Sequence, residues 1–152
     1  MEKTRDKKYW LMKSEPSDYS IDDLKRDKCE PWDGVRNYQA RNFMRDEMRV
    51  GDGVLFYHSS TDPPGIAGIA KVCSKPYPDK TAFDKSDKHF DPKSKKDDPT
   101  WYLVDVCFVK KFKNFISLNE LKADPRFEGM MVTKKGSRLS IQPVSKKHFD
   151  GI

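Results

Sequence analysis

The sequence predicts a single α+β domain, mainly β, in which short helices are interspersed among strands. Three observations support this prediction. The length of 152 residues suits one domain with one core, several segments are rich in β-branched and aromatic residues, and serines with helix-capping spacing precede short helical segments. The domain is expected to cover residues 8–152, behind a basic tail of residues 1–7.

The first strand and the first helix are predicted near the start of the chain. Residues 8–13, KYWLMK, form a short apolar and aromatic segment. It ends at Glu15-Pro16, because proline lacks the backbone N–H that a strand ladder needs. Ser20 stands three residues before Asp23, a spacing typical of a helix N-cap with an acid in the first turn. A short helix is therefore expected after Ser20.

An amphipathic helix is predicted between residues 37 and 49. Its apolar residues recur at spacings of three and four, as expected for one buried helical face. Arg41, Arg45 and Arg49 recur at spacing four on another face. These arginines are expected either to lie in solvent or to contact phosphate groups.

Three further strands and two further helices are predicted downstream. The strand segments are residues 54–60, 65–77 and 100–112, which are rich in β-branched and aromatic side chains. Ser117 and Ser145 each have the pattern of a helix N-cap, so a short helix is expected after each of them. Together these segments place most of the sheet in the middle of the chain.

Residues 78–99 form an unusually long connection for a compact domain. The segment contains six aspartates, six lysines and three prolines, with Phe83 and Phe90 as its large apolar residues. Long connections of this kind are often functional, so the segment is expected to be either a lid over a site or an ordered surface loop.

The charge pattern is compatible with a polyanionic partner. Thirty basic residues against twenty-four acidic ones leave a formal charge of +6. Such a balance suits nucleic acid, although solvated lysines also serve solubility. No apolar run approaches the roughly 20 residues that span a bilayer, and no apolar stretch of the signal-peptide kind follows the basic start. The protein is expected to be intracellular, in the nucleus of a eukaryote or otherwise in the cytoplasm, with no membrane partner; its oligomeric state stays open.

The motifs of common cofactor and metal sites are missing from the sequence. Cys29, Cys73 and Cys107 are scattered, odd in number and without a C-x-x-C pair, which argues against a disulfide framework and against a zinc site. The phosphate-loop, dinucleotide, zinc-protease and hydrolase signatures are absent, and the acidic segment lacks the spacing of a calcium loop. No cofactor and no metal is expected.

Six blocks of aromatic, glycine and polar residues extend from Trp10 nearly to the C-terminus. The blocks are WLMKSEP at 10–16, WDGVRNYQARN at 32–42, FYHS at 56–59, PGIAG at 64–68, PTWYLVDV at 99–106 and RLSIQP at 138–143. In content and order the chain resembles the EVE domain family. The resemblance implies a PUA-like fold, a small closed β-barrel surrounded by short helices, related to the YTH domains that bind methylated adenine in RNA.

For function, the resemblance implies a non-catalytic module that recognises a modified base, 5-methylcytosine or its oxidised forms, in DNA rather than RNA. A base that is flipped or lies in a single strand offers a flat face, and an aromatic wall stacks on it. Trp32 is the residue expected to form this wall. A buried position in the core is the alternative role for this tryptophan.

The base edge is expected to be read by polar groups around Trp32. The polar residues predicted for this pocket are Lys13, Ser14, Asn37, Tyr57, His58 and Ser59. Asn37 equally suits a helix cap, and Ser14 equally suits a hydrogen bond within the turn before Pro16. A methyl group offers no hydrogen-bond donor, so its recognition is expected to rest on an apolar slot and to be modest.

Further residues are expected at the rim of the pocket. Phe83 is a candidate second wall, and Trp101 is a weaker candidate because strand residues there suit the core. Arg41 is a candidate phosphate contact. Arg138 is expected to contact phosphate, to line the pocket or to be buried and paired.

Two other functions stay open. The first is a reader of modified RNA, of the N6-methyladenine kind, which the 2′-hydroxyl would distinguish from a DNA reader. The second is an enzyme on nucleic acid or nucleotide, with Tyr57, His58 and an aspartate such as Asp33 as the reacting groups.

Overall fold

The computed structural model describes residues 6–152, so most of the predicted basic tail, residues 1–5, lies outside the described part of the chain. The strands are β1 (Tyr9–Ser14), β2 (Cys29–Pro31), β3 (Gly53–His58), β4 (Gly65–Val72), β5 (Tyr77–Pro78), β6 (Tyr102–Leu103), β7 (Asp105–Ser117) and β8 (Ile141–Val144). The helices are α1 (Ile21–Asp27), α2 (Tyr38–Asn42), α3 (Leu118–Ala123) and α4 (Lys146–Gly151). Shorter turns are a π-helical turn at Phe43–Glu47 and 3-10 turns at Lys80–Phe83, Pro125–Phe127 and Met131–Thr133.

The main sheet has six strands in the order β2-β7-β4-β3-β1-β8. Strands β1 and β3 are parallel, and the other neighbours are antiparallel. The long strand β7 pairs with β4 through register shifts, and the sheet curls into a half-barrel. The α+β, mainly β, PUA-like class is thus confirmed. The closed barrel is replaced by an open one in the described residues, because the edge strands β2 and β8 have only three and four residues and each pairs on one side.

Both faces of the sheet are buried, which explains the continuous apolar runs in β1 and β3. Successive side chains of a strand point to opposite faces. Phe56 therefore lies in one core cluster, together with Trp10 and Trp32, whereas Tyr57 lies in the other cluster with Leu11. This alternation separates Tyr57 from Trp32.

The predicted helix starts are confirmed. Ser20 and Ser117 each form a capping box, and the side chain of Ser145 accepts a hydrogen bond from the backbone N–H of His148. The single helix predicted over residues 37–49 is wrong in its second half, because the chain passes into a π-helical turn after Asn42.

The strand predicted over residues 100–112 is divided at Val104 and continues to Ser117. The carbonyl oxygen of Val104 accepts a hydrogen bond from the backbone N–H of Trp32, at 2.9 Å. The strand propensity of a local segment cannot predict this contact, because its two residues are far apart in the sequence. It extends the pairing of β2 by one residue and positions Trp32.

The three cysteines are scattered in the sequence but lie together in the fold, so the argument from their spacing against disulfides is wrong. Cys29 on β2 stands directly opposite Cys107 on β7, and Cys73 follows β4, the other neighbour of β7. The sulfur of Cys107 is within bonding distance of both other sulfurs. One sulfur atom forms one disulfide at a time, so the contacts are alternatives. The sheet order joins residues that are 34 and 78 positions apart in the sequence.

Close backbone packing explains the glycines of β4. A Cβ at Gly68 would overlap the carbonyl oxygen of Lys110 on β7, and one at Gly65 would overlap the carbonyl oxygen of Ile116. The pairing with β7 shifts register between Ile66 and Gly68. The strands can approach at this point only because these positions carry no side chain.

We expect Gly68→Ala to lower the free energy of unfolding by about 1–3 kcal/mol or more, because the added methyl group meets backbone that cannot move aside. Chemical denaturation measures this loss. Lys71→Ala, at an exposed position on the same strand, is the matched control and should change stability by no more than about 0.5 kcal/mol. Equal effects of the two substitutions would contradict the packing argument.

Candidate functional site

The loop after β2 is held by backbone hydrogen bonds at two positions. Trp32 bonds to Val104 as described, and the backbone N–H of Gly34 donates to the carboxylate of Asp79 at 2.8 Å. Gly34 has a φ of +78°, and a Cβ there would lie 2.6 Å from the ring of His89. Only glycine satisfies both conditions without strain. The loop therefore turns sharply directly after Trp32 and Asp33.

Asp79 is the buried anchor of this loop. Its side chain is 1% exposed and accepts hydrogen bonds from Gly34, from Arg36 at 3.1 Å, and from the backbone and hydroxyl of Thr81 at 2.9 and 2.6 Å. Burial by itself raises the pKa of Asp79, but hydrogen bonds from Thr81, Gly34 and Arg36 outweigh it and hold the pKa below its ordinary value. The carboxylate is therefore ionised, and these hydrogen bonds stabilise its charge.

Arg36 joins the loop to the long segment of residues 78–99. Besides Asp79, its guanidinium donates to the carbonyl oxygen of His89 at 3.0 and 2.7 Å, and lies 5.3 Å from the ring centroid of Trp101. The indole N–H of Trp101 donates to Asp91 at 2.7 Å. Several contacts therefore hold residues 78–99 against the rest of the domain. In this structure the segment forms one wall of the site.

A cavity of about 460 Å³ lies between the end of β1, the loop after β2 and this wall. Its volume falls within the usual range of ligand pockets, roughly 300–1,000 Å³. The residues that line it include Lys13, Ser14, Tyr19, Glu30, Pro31, Trp32, Asp33, Val35, Arg36, Lys88, His89 and Ser140. Four separate parts of the chain therefore contribute to one site.

Trp32 is both a core residue and a cavity wall. It is 9% exposed, and its ring packs edge-on against Phe56 with centroids 5.6 Å apart. The remaining exposed part belongs to the cavity lining. The two roles weighed from the sequence are therefore not exclusive, because an indole is large enough to pack on one side and line a cavity on another.

The cavity contains acidic groups that hold their protons more tightly than usual. Burial, and then repulsion from Asp79, raises the pKa of Asp33. Burial, and then repulsion from Asp33, raises the pKa of Glu30. Such carboxyl groups favour a ligand that presents N–H donors and disfavour an anion inside the cavity.

Lys13 and Ser14, the two candidates from the first block, line the cavity. The ammonium of Lys13 donates to the carbonyl oxygen of Ser137 at 3.3 Å, and burial lowers its pKa. The hydroxyl of Ser14 donates to the carbonyl oxygen of Tyr19 at 2.5 Å, which is the local-turn role considered from the sequence.

The other polar residues proposed for the pocket lie outside the cavity lining. Asn37 caps α2, because its side chain accepts from the backbone N–H of Ala40 at 3.0 Å. Tyr57 is 3% exposed within the opposite core cluster, for the reason of strand alternation given above. The backbone of Ser59 donates to Ser14 at 3.0 Å, which continues the pairing of β1 with β3 beyond the strand end.

His58 has a structural hydrogen bond at the start of α1. Its Nε2 accepts from the backbone N–H of Ile21 at 3.1 Å, and burial lowers its pKa, which favours the neutral ring. Its ring also lies near Phe56 and Phe115. Tyr57, His58 and Asp33, the three groups considered for an enzyme, do not come together in this cavity. Of the three, only Asp33 lines it.

The remaining rim residues differ from the predictions in position. Phe83 ends a 3-10 turn and is half-buried outside the cavity lining, whereas Lys88 and His89 are the residues of this segment that line the cavity. Arg41 donates to the carbonyl oxygen of Thr100 at 2.9 Å and is half-buried. Arg138 is exposed, which excludes the buried, paired role and leaves it accessible to a ligand at the surface.

Sequence reasoning missed most of the acidic and anchoring groups. Asp33, Gly34 and Arg36 stand inside the quoted block at 32–42, so their position beside Trp32 was a usable signal. Asp79 and His89 had no such signal, since their partners are 43 to 53 residues away in the sequence.

Comparison with known proteins identifies relatives over nearly the whole chain. The family model for the EVE domain matches residues 8–152. Human thymocyte nuclear protein 1 is 45% identical over 162 residues, which cover 93% of this chain and 71% of that protein. Within residues 6–152, every helix is too short or too polar to span a bilayer.

Two solved structures illustrate the similarity. A hypothetical protein from Leishmania major has a TM-score of 0.90 and 49% identity, covering 96% of this chain and 92% of that one. Human THYN1, solved in complex with DNA that contains 5-methylcytosine, has a TM-score of 0.87 and 45% identity, covering 95% and 94%. The same architecture therefore occurs in distant organisms.

The lowered pKa of Asp79 predicts an acid-sensitive contribution to stability. The folded state holds this proton less tightly than the unfolded chain, so the contribution is complete above the unfolded pKa of about 3.9 and is lost as the pH falls through the folded pKa. The stability difference between the wild type and Asp79→Asn should therefore shrink on acidification and stay constant near neutral pH. Urea denaturation across the acidic range measures it.

Asp97→Asn, at an exposed position of the same segment, is the control for the other carboxyl groups. The wild type and Asp97→Asn should share one pH dependence. If Asp79→Asn loses stability on acidification as steeply as the wild type, the acid sensitivity has another source.

Proposed function

The chain belongs to the EVE domain family, and on that premise we propose that it binds DNA by taking one modified cytosine into the cavity beside Trp32. The observation that carries this proposal is the position of a flat indole wall next to two carboxyl groups with raised pKa in a cavity of about 460 Å³. The complex of human THYN1 with DNA containing 5-methylcytosine supports the choice of ligand. The domain acts as a binding module, and its work is recognition.

Stacking on Trp32 supplies part of the affinity. Base–aromatic stacking contributes about 1–3 kcal/mol and depends little on the base, because every base has a π face. The packing of Trp32 against Phe56 keeps the indole in one orientation before the ligand arrives. A preorganised wall loses little side-chain entropy on binding.

Hydrogen bonds at the base edge supply the choice of cytosine. The exocyclic amino group of cytosine is a donor, and a carboxylate is its usual acceptor in proteins. The exposed Asp33 and the half-buried Glu30 offer such acceptors in the cavity lining. Thymine presents a carbonyl oxygen at the same place, which a carboxylate repels. The cavity therefore favours cytosine over thymine.

The methyl group adds a smaller preference. Pro31 and Val35 are apolar members of the lining that a base methyl group could contact. Burial of one such carbon contributes about 0.8 kcal/mol, or about fourfold in affinity. Methylation should therefore change the affinity only modestly, whereas the carboxyl groups determine which base is preferred.

Phosphate contacts lie at the cavity rim and outside it. Lys88 lines the rim, and the exposed Arg138 stands two residues before Ser140, which also lines the cavity. Contacts of this kind set overall affinity and weaken it as salt increases. They also fit the net charge of +6, because the positive groups face the DNA backbone while the acidic groups face the base.

RNA is the competing partner. Otherwise identical DNA and RNA oligonucleotides separate the two, since an RNA reader gains affinity from the 2′-hydroxyl. The name of the curated relatives, thymocyte nuclear protein 1, supports a nuclear location for this chain if its source is a eukaryote.

We expect Trp32→Leu to weaken binding of a 5-methylcytosine oligonucleotide by about 5- to 140-fold, the equivalent of 1–3 kcal/mol of lost stacking. Leucine keeps an apolar contact with Phe56 but has no planar face. Fluorescence anisotropy with labelled DNA at fixed salt measures affinity, and circular dichroism checks the fold. The matched control is Tyr38→Leu, which removes an aromatic ring that is 62% exposed outside the cavity. A folded Trp32→Leu variant with unchanged affinity would exclude the stacking role.

We expect Asp33→Asn to reduce the preference for cytosine over thymine by about 1–3 kcal/mol, because the amide can donate to the thymine carbonyl. The readout is the ratio of affinities for two oligonucleotides that differ at one base. Asp18→Asn changes another exposed acid of the cavity lining and is the matched control. If both variants keep the wild-type ratio, Asp33 does not read the base edge.

A further inference from the structure

The three cysteines form a cluster that the proposed function does not use. They are the only cysteines in the sequence, and their sulfur atoms all lie within 4.8 Å of one another. We propose that in the reduced protein this cluster binds a soft closed-shell metal ion, Cu(I) or Zn(II), through three thiolates.

The sheet fixes the three backbone positions. The Cα atoms of Cys29 and Cys107 are 4.0 Å apart across the β2–β7 pair, and those of Cys73 and Cys107 are 6.1 Å apart. The backbone N–H of Cys73 donates to the carbonyl oxygen of Asp105 at 2.9 Å, which continues the pairing of β4 with β7. Small side-chain rotations therefore suffice to arrange the sulfurs around an ion.

The sulfurs can share one ion once the side chain of Cys107 rotates away from its two partners, whose sulfurs are within bonding distance in this structure. Zinc–sulfur bonds are about 2.3 Å long, so sulfurs on one ion are roughly 4 Å apart in tetrahedral or trigonal geometry. Among the described residues, no histidine or carboxylate joins the three sulfurs as a fourth ligand. Cu(I) accepts a site of thiolates alone, and Zn(II) would complete its shell with water.

Two lysines adjoin the cluster, one in the sheet register and one in the sequence. Lys71 pairs with Cys107 in the β4–β7 register and is exposed, and Lys28 precedes Cys29. Neighbouring ammonium groups stabilise the thiolate form, which is the form that binds metal. Cys29 is itself exposed, so an ion can reach the cluster from solvent.

A disulfide is the competing state of the same cluster. The sulfur of Cys107 lies within bonding distance of both partners, so an oxidised protein would hold one disulfide and one leftover thiol. Oxidation would remove two of the three ligands. Metal binding therefore requires the reduced state and should be lost when the disulfide forms.

The cluster is connected to the candidate base-binding site through β2. Cys29 stands three residues before Trp32 on a short edge strand that pairs only with β7 in the described sheet. An ion at the cluster would join β2 to β7 and to the end of β4. Binding should therefore raise the midpoint of thermal unfolding, since a ligand that binds only the folded state stabilises it.

The test is a titration of the reduced full chain, under anaerobic conditions, with Zn(II) and separately with Cu(I). The expected result is an ultraviolet thiolate-to-metal band that saturates at one ion per chain with at least one of the two ions. Native mass spectrometry counts the ion. Each of Cys29→Ser, Cys73→Ser and Cys107→Ser should weaken binding by more than about tenfold, because loss of a ligand exceeds the effect of an outer-shell change.

The control variant is His148→Ala, which removes a histidine that could bind zinc adventitiously at the surface. It should leave the titration unchanged, and circular dichroism should show that all variants are folded. The proposal is overturned if reduced protein gives no charge-transfer band with either ion. A band that survives all three cysteine substitutions, or that disappears in His148→Ala, would also overturn it.

Discussion

The buried carboxylate of Asp79 is the interaction on which the candidate site depends. Burying an ion is costly, and this one is stabilised by the Arg36 guanidinium together with hydrogen bonds from Gly34 and Thr81. The pair joins two segments that are far apart in sequence. The pair therefore helps to hold the loop that carries Trp32 beside the wall that carries His89, together with the hydrogen bonds from Arg36 to the carbonyl oxygen of His89.

The sheet places neighbouring side chains of one strand on opposite faces, so that only one of the two lies on the side of Trp32. Because both faces of the sheet are buried, Phe56 supports Trp32 while Tyr57 packs on the far side. The site then forms at the edge of the half-barrel, where β2 ends after three residues and the chain is free to turn. The open edge of the sheet thus leaves space for the cavity. A closed ring of strands would leave less.

Local features of the fold were predictable from the sequence, and long-range contacts were not. The caps at Ser20 and Ser117 depend on residues three positions apart, so their spacing is visible in the chain. The family resemblance supplied the architecture. Neither source indicated the Arg36–Asp79 pair or the cysteine cluster, because these contacts arise from strand order. The assignment of Tyr57 failed because apolar runs do not reveal which face of a doubly buried strand each residue occupies.

In the proposed complex a cationic protein with an acidic cavity separates two tasks, since exposed lysine and arginine would contact the phosphates while Asp33 and Glu30 would contact the base. The most direct test of this account is an NMR experiment on DNA carrying one isotope-labelled 5-methylcytosine. We predict nuclear Overhauser effects between that base and the indole of Trp32, assigned through Trp32→Leu. A tight complex in which the labelled base contacts only surface residues, with no effect to Trp32, would contradict the account.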